Sequence, residues 1–286
     1  MNGGGPALGA TRVGGLDRPV NTVRRMLELN GASALVTGGA SGLGEDAGRA
    51  VAGAGAKVVI MDLDRQAEKG KALADEVGGL FAEADVTNTD QVIAAVDAAK
   101  EMGPVRALVN SAGIGWATRT IGRDGAYESA HDLEIFRKVI EINLVGTFNC
   151  IRLAATAMST TEANEDGERG AIVNTASVAA VEGQIGQASY SASKAGVVGM
   201  TLTIARDLAA AGIRVNTIIP GLIDTPIYGQ GEAAEQFKEK LGVQTLFPKR
   251  LGKPEEYASL ALELLRNSYI NGESVRIDSG MRMQPK

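Results

Sequence analysis

The sequence predicts a doubly wound α/β fold, a single domain in which helices cover both faces of a seven-stranded parallel sheet. Short apolar runs alternate with helical patterns about seven times from residue 32 onward. A glycine-rich turn joins the first apolar run directly to the first helix, and an acidic residue closes the second run. Apolar runs flanked by helices on both sides are typical of parallel strands that are buried on both faces.

Seven apolar runs predict the strands. In chain order they read "SALVT", "KVVIMD", "GLFAEAD", "VRALVN", "GAIVNTAS", "IRVNTIIP" and "SVRID". The predicted helices lie at residues 44–55, 64–77, 88–102, 132–158, 187–210 and 254–266. Residues 223–250 lack a regular pattern and are expected to be irregular. Because no repeat or linker divides residues 29–286, we expect one domain.

The first 28 residues differ in composition from the rest of the chain. They are rich in glycine and arginine and have no apolar period, so we expect a disordered N-terminal extension. Organelle transit peptides are rich in arginine and serine; this segment has four arginines but no serine. A cytoplasmic location is therefore expected, with the mitochondrial matrix as the alternative.

Composition excludes several classes of function. A net charge of −5 and a pI near 5.2 argue against a nucleic-acid surface. The only cysteine, Cys150, excludes an internal disulfide, and its apolar surroundings predict a core thiol. The only histidine, His131, makes a histidine-based zinc site implausible, and no metal site is expected. The longest uncharged stretch, residues 29–44, is shorter than the ~20 residues that span a bilayer, so no membrane partner is expected.

The turn after the first strand predicts a dinucleotide site of the Rossmann type. In "TGGASGLG", Gly38, Gly42 and Gly44 follow the spacing G-x-x-x-G-x-G and lead into a helix. Glycines let the backbone approach a pyrophosphate, whose charge is favoured at the helix N-terminus. Ser41 and Leu43 belong to the same predicted contact surface. A plain tight turn is the alternative reading.

Acidic residues at the ends of the next two strands predict the choice of cofactor. Asp62 lies 24 residues after Gly38, close to the offset of an acid that binds the adenosine ribose hydroxyls. A carboxylate there repels a 2′-phosphate, so the sequence predicts NAD rather than NADP. Asp85 and Val86 follow the third strand and are expected near the adenine, although Asp85 is nearly as well explained as a helix cap.

The segment "YSASK" places a phenol one helical turn from an ammonium. Residues i and i+4 share a helix face, so Lys194 is expected beside Tyr190. A free tyrosine has a pKa of ~10, and a nearby cation, together with a positive nicotinamide ring, would favour the phenolate. Tyr190 could then accept a hydroxyl proton. Ser177, at the end of a strand, can direct its hydroxyl at a substrate oxygen, with a capping role as the alternative.

The order of five motifs resembles the short-chain dehydrogenase/reductase family. They are "TGGASGLG", "NSAG", "NTAS", "YSASK" and "PGLIDT", and the resemblance covers residues 31–286. It implies that Lys194 also binds the nicotinamide ribose and that Asn143 holds a water that links Lys194 to solvent. For Asn143, a buried amide satisfied by backbone is the alternative. The remaining residues expected to contact the cofactor are Asn110, Ala112, Gly113, Pro220, Gly221, Ile223 and Thr225.

Overall similarity within the family points to a branch that oxidises 3-hydroxyacyl-CoA and is also described as a hydroxysteroid dehydrogenase. It implies an NAD-dependent oxidation of (S)-3-hydroxyacyl-CoA, a homotetramer and a mobile substrate loop within residues 223–250. The alternatives are a dehydrogenase for steroids or other secondary alcohols and a non-catalytic scaffold. Asp62 opposes an NADPH-dependent oxoacyl reductase. The arginines Arg119 and Arg123 could meet CoA phosphates, but a solvated loop is the preferred reading.

Overall fold

The computed structural model describes residues 26–229 and 231–285. It contains a single parallel sheet whose strands lie in the order β3-β2-β1-β4-β5-β6-β7, so the predicted fold class is confirmed. The strands are β1 (Ser33–Thr37), β2 (Lys57–Asp62), β3 (Leu80–Glu83), β4 (Val105–Asn110), β5 (Gly170–Thr175), β6 (Ile213–Pro220) and β7 (Ser274–Ile277).

Eight α-helices in the described part of the chain cover the two faces of the sheet. They are α1 (Gly42–Gly53), α2 (Ala67–Val77), α3 (Thr89–Met102), α4 (Leu133–Ile140), α5 (Gly146–Ser159), α6 (Ala188–Leu208), α7 (Glu232–Gly242) and α8 (Pro254–Arg266). Helices α1, α2 and α8 pack on one face, and α3, α5 and α6 pack on the other. Alternate residues of each central strand, such as Leu108 and Val109 of β4, are buried in opposite layers.

The prediction that residues 223–250 are irregular is wrong in one part. Helix α7 lies inside this segment, with acids in its first turn and Lys240 in its last. Its buried residues are only Ala234 and Gly242. Ala234, Phe237 and Leu241 do follow a helical period, as in a short amphipathic lid. The stripe is short and lies among charged residues, so it did not predict a separate helix.

The predicted long helix at residues 132–158 is present but is not regular. A π-helical segment, Glu141–Val145, separates α4 from α5 and carries the fully buried Asn143. By length and composition the stretch Tyr127–Ser159, of mean hydropathy 1.2, could cross a membrane. Half of its apolar window is buried inside the domain, as in the core helix of a globular protein. That no membrane is involved therefore stays a prediction.

Residues 26–28, which the prediction assigns to the N-terminal extension, belong to the described part of the chain. Leu27 is buried against α8, and its N–H donates to the carbonyl of Arg266. The remainder of the predicted N-terminal extension, residues 1–25, lies outside the described residues.

A buried ion pair joins β6 to the segment before β5, and its arginine also reaches the end of α8. Arg214 Nε lies 2.7 Å from Glu168 Oε1, and both side chains are less than a tenth exposed. The guanidinium also donates to the carbonyls of Leu264 and Leu265, in the last turn of α8. These carbonyls have no partner within the helix, and a cation is favoured at a helix C-terminus. The pair therefore fixes α8 against the strand that leads to the site.

We expect Glu168→Ala to lower the free energy of unfolding by about 3–5 kcal/mol, because the variant leaves the Arg214 charge buried without its carboxylate. Urea unfolding at pH 7 measures the loss. Asp97→Ala is the matched control, since it removes an exposed ion pair with Lys100 and should cost about 0.5 kcal/mol. Equal losses in the two variants would contradict a structural role for the buried pair.

Candidate active site

The candidate site lies at the carboxyl end of the sheet, where the strand order reverses between β1 and β4. In open α/β sheets such a reversal leaves a crevice in which ligands bind. A cavity of about 190 Å³ occupies this position. Nine of the predicted site residues line it, namely Leu43, Gly113, Ser177, Tyr190, Lys194, Pro220, Gly221, Ile223 and Thr225.

The glycine turn forms a backbone surface that side chains would block. Gly38 has a φ of +61°, and a Cβ there would lie 2.8 Å from the backbone of Ala112. A Cβ on Gly44 would lie 2.2 Å from the carbonyl oxygen of Gly38, so the start of α1 packs directly on the turn. Gly42, with a φ of +55°, faces Thr225 across the crevice. This close packing goes beyond the requirements of a plain tight turn.

The N-terminus of α1 has the chemistry that a pyrophosphate requires. Ser41 occupies the N-cap position, and its hydroxyl makes no capping hydrogen bond. The N–H groups of the first helical turn have no intrahelical acceptor and attract anions. The turn and Ser41 therefore fit the phosphates of a dinucleotide, which would supply the hydride acceptor of an oxidation.

Asp62 lies at the end of β2, beside the glycine turn. Its Oδ2 accepts from the N–H of Ala40 at 3.0 Å, and its Oδ1 accepts from the N–H of Leu63 at 2.8 Å. Each carboxylate oxygen retains acceptor capacity for a ribose hydroxyl. Within the described part of the chain, no arginine or lysine forms an ion pair with Asp62. No side-chain cation of the described residues therefore competes with a ligand for this carboxylate.

Asp85 and Val86 lie outside the cavity. The carboxylate of Asp85 accepts from the N–H and hydroxyl of Thr87, at 2.9 and 2.7 Å, and so closes a turn. The cap of α3 is Asn88 instead. Val86 is buried against Gly146. The structure therefore gives both residues a local structural role, and their contact with adenine stays a prediction.

The segment after β4 lies between the glycine turn and the catalytic residues. The Asn110 side chain points into the sheet, where its Nδ2 donates to Asn174 Oδ1 at 2.9 Å. The N–H of Ala112 donates to Thr37 Oγ1, which holds the segment against β1. Gly113 lines the cavity, and a Cβ there would lie 3.1 Å from Asn143 Oδ1 and 3.5 Å from Lys194 Nζ. Only glycine leaves this approach open.

The ends of β5 and α6 bring Ser177, Tyr190 and Lys194 together. Ser177 follows β5, and its Oγ accepts from the N–H of Ala179 at 3.2 Å, so the predicted capping role is also present. The Ser177 hydroxyl lies close enough to the Tyr190 phenol to lower its pKa. Lys194 Nζ lies 5.9 Å from the centre of the Tyr190 ring and donates to the carbonyl of Thr175 at 2.9 Å. The predicted trio is therefore one cluster.

Burial dominates the ionisation of this cluster. It raises the pKa of Tyr190, and the hydrogen bond with Ser177 offsets only part of that effect. Burial also lowers the pKa of the Lys194 ammonium to about 8. The sequence led us to expect that Lys194 would lower the pKa of Tyr190, but in the chain alone desolvation has the larger effect. In the chain alone, burial therefore favours the neutral phenol, and further positive charge is needed to ionise it.

Asn143 joins three parts of the site. Its Oδ1 accepts from the N–H of Ile114 at 2.8 Å, and its Nδ2 donates to the Ile114 carbonyl and to Ser193 Oγ. Ser193 in turn donates to the carbonyl of Tyr190. This arrangement matches the alternative of a buried amide satisfied by its neighbours. The water-holding role that the resemblance implies stays a prediction.

Sequence reasoning missed three residues of the site. Thr175 supplies the carbonyl for Lys194, and its hydroxyl lies 2.7 Å from that of the fully buried Tyr257. Tyr228 lines the cavity beyond Thr225. The motif "NTAS" contains Thr175 and could have drawn attention to it. Tyr228 lies in the predicted substrate loop but was not singled out there, and Tyr257 lies in a segment with no local signal for a site.

Comparison with known proteins identifies the family. The sequence model of the short chain dehydrogenase family matches residues 32–236. The chain belongs to the short-chain dehydrogenase family. The prediction of this family is thereby confirmed, and the protein is an oxidoreductase.

Relatives and a solved structure with similar sequences carry one common name. The 3-hydroxyacyl-CoA dehydrogenase type-2 of Bos taurus is 49% identical over 264 residues, which cover 90% of this chain and 97% of the bovine one. Its namesake from Drosophila melanogaster is 49% identical over 260 residues, which cover 90% and 100%. The crystal structure of the Mycobacterium avium protein of that name is 49% identical, with a TM-score of 0.83 and coverage of 90% and 98%.

We expect Lys194→Met to change how the stability of this dehydrogenase depends on pH. The native pKa of about 8 lies below the ordinary value of 10.5, so between these values the unfolded chain binds more protons than the native one. The stability of the wild type therefore rises relative to the variant as pH increases from 7 to 10, by up to about 3 kcal/mol.

Urea unfolding of both proteins at several pH values measures this difference. Lys71→Met is the control, because Lys71 is exposed and its replacement should leave the pH dependence unchanged. A difference between wild type and Lys194→Met that stays constant from pH 7 to pH 10 would contradict a buried ammonium.

Proposed function

We propose that this dehydrogenase oxidises (S)-3-hydroxyacyl-CoA to 3-oxoacyl-CoA with NAD as the hydride acceptor. The observation that carries the reaction type is the cluster of Ser177, Tyr190 and Lys194 in a cavity beside the glycine turn. The substrate class is supported by the shared name of relatives that are nearly half identical over almost the whole described domain.

The mechanism follows from the hydrogen bonds of the cluster. The Ser177 hydroxyl binds the oxygen on C3 of the substrate, next to the Tyr190 hydroxyl. Tyr190, in its ionised form, can then accept the proton of the substrate hydroxyl as a general base. NAD held by the glycine turn would supply the acceptor for the hydride on C3 and a positive charge that favours the phenolate. Lys194, held by the Thr175 carbonyl, keeps a positive charge beside the phenol and favours its ionised form. In the reverse direction the neutral phenol returns the proton.

The preference for NAD is supported by the charge of Asp62. Its carboxylate lies beside the N–H of Ala40 in the glycine turn, and the nearby Arg65 is exposed. A ribose diol can donate to the carboxylate, whereas a 2′-phosphate would meet a like charge.

Assembly and location belong to the same proposal. Val145, Phe148 and Leu202, on the long helices around the site, are each more than two-fifths exposed. Apolar side chains on such a helix face favour association with another copy of the chain, which is consistent with a homotetramer. We propose the cytoplasm as its location, with the mitochondrial matrix as the alternative.

We expect Tyr190→Phe to lower the rate of 3-hydroxybutyryl-CoA oxidation by about 10²–10⁴-fold, because the variant lacks the proton acceptor. Steady-state reduction of NAD measures the rate. The protein should still fold and bind NAD.

If full activity survives, the proposed chemistry is wrong. If no wild-type acyl-CoA oxidation is seen but a steroid alcohol is oxidised briskly, the substrate class is wrong, and an inactive wild type with intact partner binding would indicate a scaffold.

We expect Asp62→Asn to weaken NAD preference, because the variant removes the charge that repels a 2′-phosphate. The ratio of the Kd for NADP to the Kd for NAD should fall about tenfold or more. Calorimetric titration with both nucleotides measures it. Asp64→Asn is the matched control, since Asp64 is exposed two residues further on and should leave the ratio unchanged. A ratio unaffected by Asp62→Asn would remove the basis for proposing NAD.

A further inference from the structure

A second phenol lines the catalytic cavity. Tyr228 ends the short 3₁₀ turn Pro226–Tyr228, and its side chain faces the cavity that also holds Ser177 and Tyr190. It lies near enough to Tyr190 for the charge of one phenol to affect the other. The proposed oxidation so far gives Tyr228 no role.

Several other polar groups of the cavity already have partners. Lys194 Nζ donates to the carbonyl of Thr175. The hydroxyls of Ser111 and Thr175 lie 3.4 and 2.7 Å from the hydroxyl of Tyr257. Among the residues that the structure describes, none is hydrogen bonded to the hydroxyl of Tyr228. Tyr228 therefore offers a polar group to whatever enters the cavity.

The substrate-loop helix holds Tyr228 in place. The Tyr228 ring packs against the ring of Phe237 in α7, with ring centres 6.3 Å apart and planes inclined by 55°. Helix α7 is tied to the start of the loop by Lys238 Nζ, which lies 2.8 Å from Asp224 Oδ1. Thr225, the neighbouring hydroxyl in the cavity, is the residue expected at the nicotinamide carboxamide. Tyr228 is thus the free hydroxyl on the substrate side.

The ionisation of Tyr228 suits a hydrogen-bond donor. Burial, followed by the charges of Tyr190 and Asp224, raises its pKa to about 12. At neutral pH the phenol keeps its proton and cannot act as a base. In contrast to Tyr190, it has neither a serine hydroxyl nor an ammonium beside it to favour ionisation. The two phenols therefore differ in chemical role.

A 3-hydroxyacyl thioester brings two oxygens into the site. The oxygen on C3 is bound by Ser177 and Tyr190, and the thioester carbonyl lies two carbons away. A carbonyl oxygen only accepts hydrogen bonds, and its burial without a donor is costly. We propose that the Tyr228 hydroxyl donates a hydrogen bond to the thioester carbonyl and so selects 3-hydroxyacyl thioesters over secondary alcohols that lack it. This inference rests on the proposed function.

The test compares two substrates that differ only at this carbonyl. They are 3-hydroxybutyryl-CoA and its thioether analogue 3-hydroxybutyl-CoA, in which a methylene replaces the carbonyl. For Tyr228→Phe, kcat/KM with the thioester should fall about tenfold, and with the thioether less than about twofold. The carbonyl also changes the intrinsic rate of hydride transfer. This change is the same in the wild type and in Tyr228→Phe, so it cancels when the ratios of kcat/KM for the two proteins are compared. Tyr269→Phe is the matched control, because Tyr269 is fully exposed.

The outcomes separate the inference from the proposed function. If the variant loses the same factor with both substrates, or loses nothing, the inference fails while the function stands. If the wild type oxidises neither CoA compound but oxidises a steroid alcohol, the proposed function fails and the inference with it. Thermal unfolding and NAD binding establish that the variant is folded. Should Tyr228→Phe not fold, the same comparison with Tyr228→Leu decides.

Discussion

The site depends on one hydrogen bond, which the buried ammonium of Lys194 donates. Its Nζ donates to the carbonyl of Thr175, at the end of β5, and this bond fixes α6 against the central sheet. Because Tyr190 lies one turn earlier on the same helix, the bond also sets the position of the phenol. A charge in this place is costly, as the lowered pKa of Lys194 shows. This cost falls at the position where the proposed proton transfer requires a cation.

Neighbouring side chains hold the two ends of this bond, α6 and the end of β5, in position. Asn143 lies in a π-helical segment, a feature frequent at functional sites, and links the loop at Ile114 to Ser193 on α6. Tyr257, from α8, reaches the hydroxyl of Thr175 from the other layer of the domain. Helices from both faces of the sheet thus meet at the end of β5, and neither layer positions the catalytic residues alone.

The two sides of the crevice differ in construction. On the cofactor side, glycines pack backbone against backbone, so the shape of the surface is set with no adjustable side chain. On the substrate side, α7 contacts the start of the loop through the rings of Phe237 and Tyr228 and the ion pair of Lys238 with Asp224, and only Ala234 and Gly242 of the helix are buried. Few buried contacts allow such a segment to open at low cost. A rigid surface facing a wall with few buried contacts is consistent with the proposed binding of a dinucleotide and an acyl thioester.

Local patterns in the sequence determined the architecture and the reacting groups. The seven strands, the glycine turn, and the spacing of Tyr190 and Lys194 all express periods of a few residues, which a sequence displays directly. Tertiary structure alone decided the rest. The contacts of Lys194 with Thr175, of Asn143 with Ile114 and of Thr175 with Tyr257 join residues 19, 29 and 82 positions apart.

Those long-range contacts also determined the ionisation of the site. The sequence led us to expect that the neighbouring cation would govern the pKa of Tyr190, whereas packing buried the phenol and made desolvation the larger effect. Helix α7 and Tyr228 were missed for a related reason. A short and mostly exposed helix shows only a weak apolar period, and a tyrosine joins a cavity only when the chain has folded around it.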